Sequence, residues 1–223
     1  MKFHNLTFLI LTVLLSCSLL ITPSVNNLNA EEVAIEVNGE TVSESELESR
    51  IDQTVEQLKQ QYADQISDDD DEQQFLEQQA KQQVVDQTVQ QLVLKTSAQQ
   101  ANDIEVTDNE IETQIDMARE GFKSEDEFRA ALQHEGLSPD DFKERIHDSL
   151  LIEKFIQQEI GDIQVSEEEA RDYFENNQQN FPDSSFEEAE SEVKRLLRHQ
   201  KKQQEQQEMI SELREESDIE VNI

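Results

Sequence analysis

Thr107-Asp108-Asn109-Glu110, Ser124-Glu125-Asp126-Glu127, Ser138-Pro139-Asp140-Asp141 and Ser166-Glu167-Glu168-Glu169 punctuate the stretch from Val106 to Phe174, and each spells the start of a helix. In the first, second and fourth, the Ser or Thr oxygen can accept the N3 amide while the N3 acid reaches back to the cap amide, forming a capping box. In the third, Ser138 caps and Pro139 takes N1, where a missing N–H costs nothing. Its two acids face the positive end of the helix dipole. Val106 with Ile111, and Leu137 with Phe142, fall at the N′ and N4 positions of hydrophobic staples, which set the angle at which the chain joins each helix. Between these starts the apolar residues keep a 3.6 period. Ile111, Ile115, Ala118 and Phe122 form one stripe, Phe128 and Leu132 a second, and Phe142, Ile146, Leu150, Leu151, Phe155 and Ile160 a third, with Gly161 just past its end. Helices joined by loops holding Gly121 and Gly136 can close a small core, so the fold class is mainly α.

The same grammar extends outward in both directions. Toward the N-terminus, Val33, Ile35 and Val37 alternate as in a strand and Asn38-Gly39 makes a turn. Ser43 then caps a long helix, with Glu46 as box partner and Val42 and Leu47 as staple; its stripe is Leu47, Ile51, Val55, Leu58, Tyr62 and Ile66. Asp68-Asp69-Asp70-Asp71 breaks that helix as a solvated loop. It lacks the alternating ligands, Gly turn and distal Glu of a calcium loop. A second long helix runs from Phe75 to Ala101, with Leu76, Ala80, Val84, Val85, Val89, Leu92 and Val93 apolar and paired glutamines on its outer face. Toward the C-terminus, Asn176 to Ser184 is a loop and Ser185 opens the last helix, 186–216. Phe186, Ala189, Val193, Leu196 and Leu197 are apolar at its start, and Met209, Ile210 and Leu213 resume the stripe after an exposed middle. Ile219, Val221 and Ile223 alternate as a terminal strand, 219–223. An isolated strand is unstable in water, so this one is expected to pair with Val33 to Val37 in a small sheet.

Composition narrows function. The chain has 223 residues, 52 acidic and 18 basic side chains, and a formal charge of −34. Nucleic acid is excluded as a partner, since phosphate binding needs a basic footprint. Such acidity suits a soluble, self-repelling surface, and equally a halophilic protein whose repulsion is screened by brine. Lys194, Arg195, Arg198, Lys201 and Lys202 form the only dense basic cluster and are expected to pair with acids on neighbouring helices.

Residues 1–30 read as a signal peptide, with Lys2 as a weak basic end, an apolar run from Phe8 to Ile21, a break at Pro23 and cleavage after Ala30. The apolar run falls short of the ~20 residues that span a bilayer, so no stable membrane insertion is expected after the leader is removed. Leu14-Leu15-Ser16-Cys17 offers a competing lipoprotein site, although Leu15 is unusual there and Leu19-Leu20-Ile21 follows where a polar tether belongs. Cys17 is the sole cysteine, so a chain cleaved after Ala30 forms no disulfide or thiolate metal site.

Catalytic signals are absent. There is no phosphate loop, and His134, His147 and His199 lack metal-ligand spacing, so no catalytic, metal-binding or cofactor-binding residue is expected. Met117, Phe122 and Phe128 are soft or aromatic side chains that can supply adaptable apolar contact area. Met117 lies off the stripe of its helix, whereas the two Phe residues also fit a core.

The order of elements resembles the chaperone module of the SurA and PrsA-type foldases. The residues that carry the resemblance are Ala34-Ile35-Glu36-Val37-Asn38-Gly39-Glu40-Thr41-Val42, Phe128-Arg129-Ala130-Ala131-Leu132, Glu135-Gly136-Leu137-Ser138 and Leu150-Leu151-Ile152-Glu153-Lys154. To these are added Val165-Ser166-Glu167-Glu168-Glu169-Ala170 with Tyr173-Phe174, and the terminal Asp218-Ile219-Glu220-Val221-Asn222-Ile223. The resemblance covers nearly all of 31–223 and implies one helical chaperone domain. In isomerase members a parvulin domain sits after the segment matching Tyr173-Phe174. Here only Glu175 to Ser184 separate Phe174 from Ser185, which is too short for any domain. The resemblance therefore implies an ATP-independent extracytoplasmic holdase, in a periplasm or outside the cell, whose partners are unfolded or partly folded polypeptide clients, with Met117, Phe122 and Phe128 as the candidate client contacts. Self-association into a homo-oligomer is compatible with it. The alternatives are a diverged peptidyl-prolyl cis-trans isomerase and a structural subunit that binds one folded partner.

Overall fold

The computed structural model describes residues 32–61, 70–101, 103–182 and 184–223. The leader with Cys17, the far end of the first helical stripe at Tyr62 and Ile66, and Asp68-Asp69 lie outside the described residues. The elements in chain order are β1 (Val33–Val37), β2 (Glu40–Ser43), α1 (Glu44–Gln61), α2 (Asp70–Gln100), α3 (Asp108–Arg119), α4 (Glu125–His134), α5 (Pro139–Ile160), α6 (Glu167–Asn176), a single 3₁₀ turn (Gln178–Asn180), α7 (Phe186–Glu216) and β3 (Ile219–Val221).

The expected pairing of first and last strands is present. β1 is the middle strand of an antiparallel sheet of order β2-β1-β3, with Ile35 opposite Val221, Glu36 opposite Glu220 and Val37 opposite Ile219. The sequence reading missed β2, having treated Glu40 to Val42 only as the approach to a helix. Asn38-Gly39 is in fact a two-residue hairpin turn, with φ of 53° and 89°. Both values are positive, as the turn that matches strand twist requires, and Asn and Gly tolerate them best. A bulge at Ala34 shifts the β1–β2 register.

Asn38 also ties the hairpin to the rest of the chain. Its Nδ2 donates to Thr96 Oγ1 at 2.9 Å and Ser217 Oγ at 3.2 Å, its Oδ1 accepts the Asp218 amide at 2.9 Å, and its own amide donates to the Asp218 carbonyl at 2.9 Å. One side chain thus joins β1, α2 and the lead-in to β3.

α2 is the axis of the fold. Leu76 and Ala80 in its first half pack with Val55 and Leu58 of α1. Val84, Val89, Leu92 and Val93 close the main core with Ala34, Ile35, Val37, Val42 and Leu47. Leu94 and Ala98 turn to Leu151 and Phe155 of α5 and Ile210 of α7. The second half of α2 is therefore apolar on several faces, as a helix surrounded by protein must be.

The capping grammar is realised with two exceptions, at Ser43, where the Glu46 amide donates to the hydroxyl at 3.3 Å but the Glu46 carboxylate bonds Arg50 instead of the cap amide, and at Ser124. Thr107, Ser138, Ser166 and Ser185 form complete capping boxes. Ser124 accepts the Glu127 amide at 3.2 Å, but the Glu127 carboxylate takes the Lys123 amide at 3.0 Å, one residue before the cap, so the expected reciprocal bond is absent. α4 ends in a Schellman motif: Leu137 donates to the Leu132 carbonyl, Gly136 donates to Gln133, and Gly136 has φ of 71°.

Candidate functional site

α3, α4 and the first half of α5 enclose a core of Ile111, Ile115, Phe128, Leu132, Phe142 and Ile146, against which Val106, Ala118, Phe122 and Leu137 are packed. Both staple pairs lie in this cluster. The rings of Phe122 and Phe128 meet edge to face at 5.4 Å, those of Phe128 and Phe142 at 5.6 Å, and the Arg119 guanidinium lies 5.7 Å from the Phe128 centroid. Phe128 is 3% exposed and sits beneath the surface, Phe122 is half-buried above it, and Met117 is 56% exposed. The structure thus stacks the two rings and sets Met117 apart from them on the outer face of α3. The off-stripe position of Met117 translates directly into exposure.

Ion pairs brace the helices. Lys154 Nζ lies 2.6 Å from Glu110 Oε1 and donates to the Glu105 carbonyl at 2.6 Å, joining α5 to the start of α3. That hydrogen bond, with those from Thr107, holds the Glu110 carboxyl down at about 2. Lys201 of α7 bonds Glu169 of α6, and with Ser166 it lowers the Glu169 carboxyl to about 2 as well. Within the basic cluster, Lys201 reaches another helix as expected, whereas Lys194 and Arg195 pair within α7, with Glu190 and Glu192.

One ion pair among the described residues is buried. Lys95 of α2, 4% exposed, has its Nζ 3.2 Å from Oδ2 of Asp148, also 4% exposed, and 3.6 Å from Glu40 Oε1 at the start of β2. His147 Nδ1 is 3.1 Å from Asp148 Oδ1. The Lys95–Asp148 contact is Coulombic, because Asp148 Oδ2 accepts no well-directed hydrogen bond among the described residues. Its place at the junction of hairpin, α2 and α5 gives it the character of a structural fastening. No group of acids and histidines able to hold a metal ion occurs among the described residues.

Two concave surfaces among the described residues were not anticipated from the sequence. A groove of about 690 Å³ runs between α1 and α2, floored by Ile51 and Val55 and edged by Asp52, Glu56, Lys59 and Glu77. Phe75, 65% exposed, stands on the same first turns of α2. It was readable as lying off the Leu76-Ala80-Val84 stripe. A second cleft of about 430 Å³ separates the end of α5 from the middle of α7, with Ile152, Ile156 and Ile160 on one wall and Lys202 and Gln206 on the other. No sequence signal marks it, since its walls come from helices distant in the chain. Among the described residues no helix is long and apolar enough to cross a membrane.

Between α6 and α7 the chain passes directly through residues 177–185, with one 3₁₀ turn and Phe181 buried against Phe174 and Phe186. No domain is inserted there.

Comparison with known proteins agrees with this architecture. Foldase protein PrsA of Clostridium acetobutylicum is 31% identical over 85 residues, which is 36% of this chain and 26% of that protein. Chaperone SurA of Pseudomonas savastanoi pv. phaseolicola and that of Pseudomonas syringae pv. tomato are each 32% identical over 87 residues, covering 38% of this chain and 20% of theirs. The match thus spans between 20% and 26% of the length of these curated relatives. No solved structure matches it. The SurA-like N-terminal domain family matches residues 2–156, more than half the sequence and every element from β1 to most of α5, and to that family the chain belongs.

Proposed function

We propose that the protein is an ATP-independent chaperone of the extracytoplasmic space, a holdase that binds unfolded or partly folded exported polypeptides and is itself exported by the 1–30 leader. The observation that carries the reading is a chaperone-family helical module whose α6 runs into α7 with no domain between them. Large apolar side chains left in water support it: Phe75 at 65% exposure and Met117 at 56% offer adaptable contact without disturbing a core. Met117 and Phe122 meet client segments in this reading, and Phe128 supports Phe122 from below. The named relatives are a foldase and two chaperones, and a polypeptide partner is proposed here on that likeness.

Residues 31–223, purified, are expected to delay aggregation of several unrelated unfolded proteins at stoichiometric ratio without nucleotide, and to give no turnover of a proline peptide in an isomerase assay. Met117→Glu is expected to weaken client binding about tenfold with helicity unchanged, the result of placing one charge in an apolar contact. Isomerase turnover, or no delay for any client, overturns the proposal.

A further inference from the structure

Val33, Val221 and Ile223 are 37%, 42% and 53% exposed, and they are three of the five large apolar side chains left in water among the described residues. They converge at one end of the sheet. Ile35 faces Val221 across the β1–β3 ladder, and the Asn222 amide donates to the Ala34 carbonyl at 2.8 Å, which carries the strand toward Val33.

Among the described residues β3 is an edge strand, with β1 as its one neighbour in the sheet. The bonds from Asn38 to Asp218 and from Asn222 to Ala34 fix which way its backbone points. In an antiparallel ladder the hydrogen-bonding direction alternates along the strand, so the backbone groups of 218, 220 and 222 face β1, while those of Ile219 and Val221 face the open side. Exposed edges of this kind pair readily with another chain, and proteins usually blunt them. This one carries apolar Val221 and Ile223 where a blunting charge would be expected on the core-side face.

The other face of the same strands poses a second question. Glu36 and Glu220 stand directly opposite each other, and neither forms an ion pair among the described residues. Like charges in that relation destabilise a sheet. Asp218 precedes them on the same face of β3. An incoming strand that alternates apolar and basic residues satisfies both faces together. Its apolar side chains extend the Ile219-Val221-Ile223 row, its Lys or Arg residues neutralise Glu220 and Glu36, and its backbone completes the open hydrogen bonds. A second copy of this acidic chain answers the first need but adds to the repulsion.

We propose that the open edge of β3 takes extended polypeptide segments of alternating apolar and basic residues by strand addition. This rests on the chaperone reading and names the class of client segment and the place that takes it.

The test uses residues 31–223 with two fluorescent peptides, one alternating Lys and Val, the other Glu and Val, with binding followed by anisotropy at low and moderate salt. The Lys-Val peptide is expected to bind and the Glu-Val peptide not to. Hydrogen exchange at Ile219 and Val221 is expected to slow when the Lys-Val peptide is added, a readout that needs no variant. Val221→Pro removes an outward amide while leaving the bonds to β1, and is expected to weaken the peptide about tenfold, the worth of one hydrogen bond whose partner is left unmet. Glu220→Lys is expected to weaken Lys-Val binding and admit Glu-Val. Equal binding of both peptides, unchanged exchange at 219 and 221, or dimerisation through β3 that excludes the peptide overturns the proposal. Aggregation suppression that survives Val221→Pro and Glu220→Lys undiminished for basic clients also overturns it, while leaving the chaperone reading in place.

Discussion

Replacing Lys95 by Met is expected to be one of the most damaging single changes in this protein. The ammonium is 4% exposed and sits 3.2 Å from Asp148 and 3.6 Å from Glu40. Met fills a similar volume, so the loss is of charge and not of packing. Removing one partner of a buried pair leaves the other charge uncompensated, at a cost of about 3–5 kcal/mol. Here the lower end applies. His147 Nδ1 lies 3.1 Å from the other Asp148 oxygen with 43% of its side chain exposed, so this side of the carboxylate keeps a polar neighbour that reaches solvent. A loss of about 3 kcal/mol in a domain of this size lowers Tm by roughly 6–12 °C. The double variant Lys95→Met with Asp148→Leu removes both buried charges. It leaves only Glu40, whose side chain is 35% exposed and can be solvated, so its stability is expected within about 1 kcal/mol of the parent. Urea denaturation of the parent, both single variants and the double variant gives the cycle, with an unchanged m-value showing that the same structure unfolds. A Lys95→Met cost below about 1 kcal/mol, or a double variant as unstable as the worse single one, would refute the reasoning.

Asn38→Ala is expected to cost about 3 kcal/mol, since it combines a left-handed backbone position with the loss of bonds to Thr96, Ser217 and Asp218. Asn38→Gly should recover the backbone part, and chemical denaturation of both variants checks this. Glu110 and Glu169 have carboxyls depressed from 4.5 to about 2 in the folded state, so the stability they confer is complete above pH 4.5 and is lost as pH falls from there toward 2. Glu110→Gln and Glu169→Gln are accordingly expected to flatten the acid limb of a Tm-against-pH curve while lowering stability at neutral pH. Melting temperature is also expected to climb with NaCl beyond physiological strength, because 52 acids oppose 18 bases and molar salt shortens the Debye length to about 3 Å. A flat salt response would leave ordinary solubility as the only consequence of the acidity.

Local chemistry made much of this fold legible. Thr107, Ser138, Ser166 and Ser185 announce their helices because a capping box is written within four consecutive residues. The pairing of β1 with β3 was legible by elimination. β2 was not, because Thr41-Val42-Ser43 serves both as strand and as approach to α1, so the helix grammar hid the second arm of the hairpin although the Asn38-Gly39 turn before it was legible. Ser124 shows the limit of a four-residue code, since the Glu127 carboxylate chose the neighbouring amide. For the surface, Met117 was readable from its phase on α3, whereas Phe128 could be core or contact until the ring positions settled it in the core. The Lys95–Asp148 fastening left no trace in the sequence. Both residues look like ordinary helical charges, and only the crossing of α2 and α5 brings them together.

The union of β1 with β3 also sets a timetable. Asn38 and Asp218 lie 180 positions apart, yet they are joined in the finished sheet. A chain made or exported from its N-terminal end presents β1 long before β3 exists. α1 through α6 can collapse on local contacts in the meantime, but the middle strand waits with one side unclosed. Closing so long a loop is slow compared with helix formation, so completion of the sheet is the natural last event in maturation. During that interval the nascent protein displays on β1 the unsatisfied strand edge that a chaperone would normally shield.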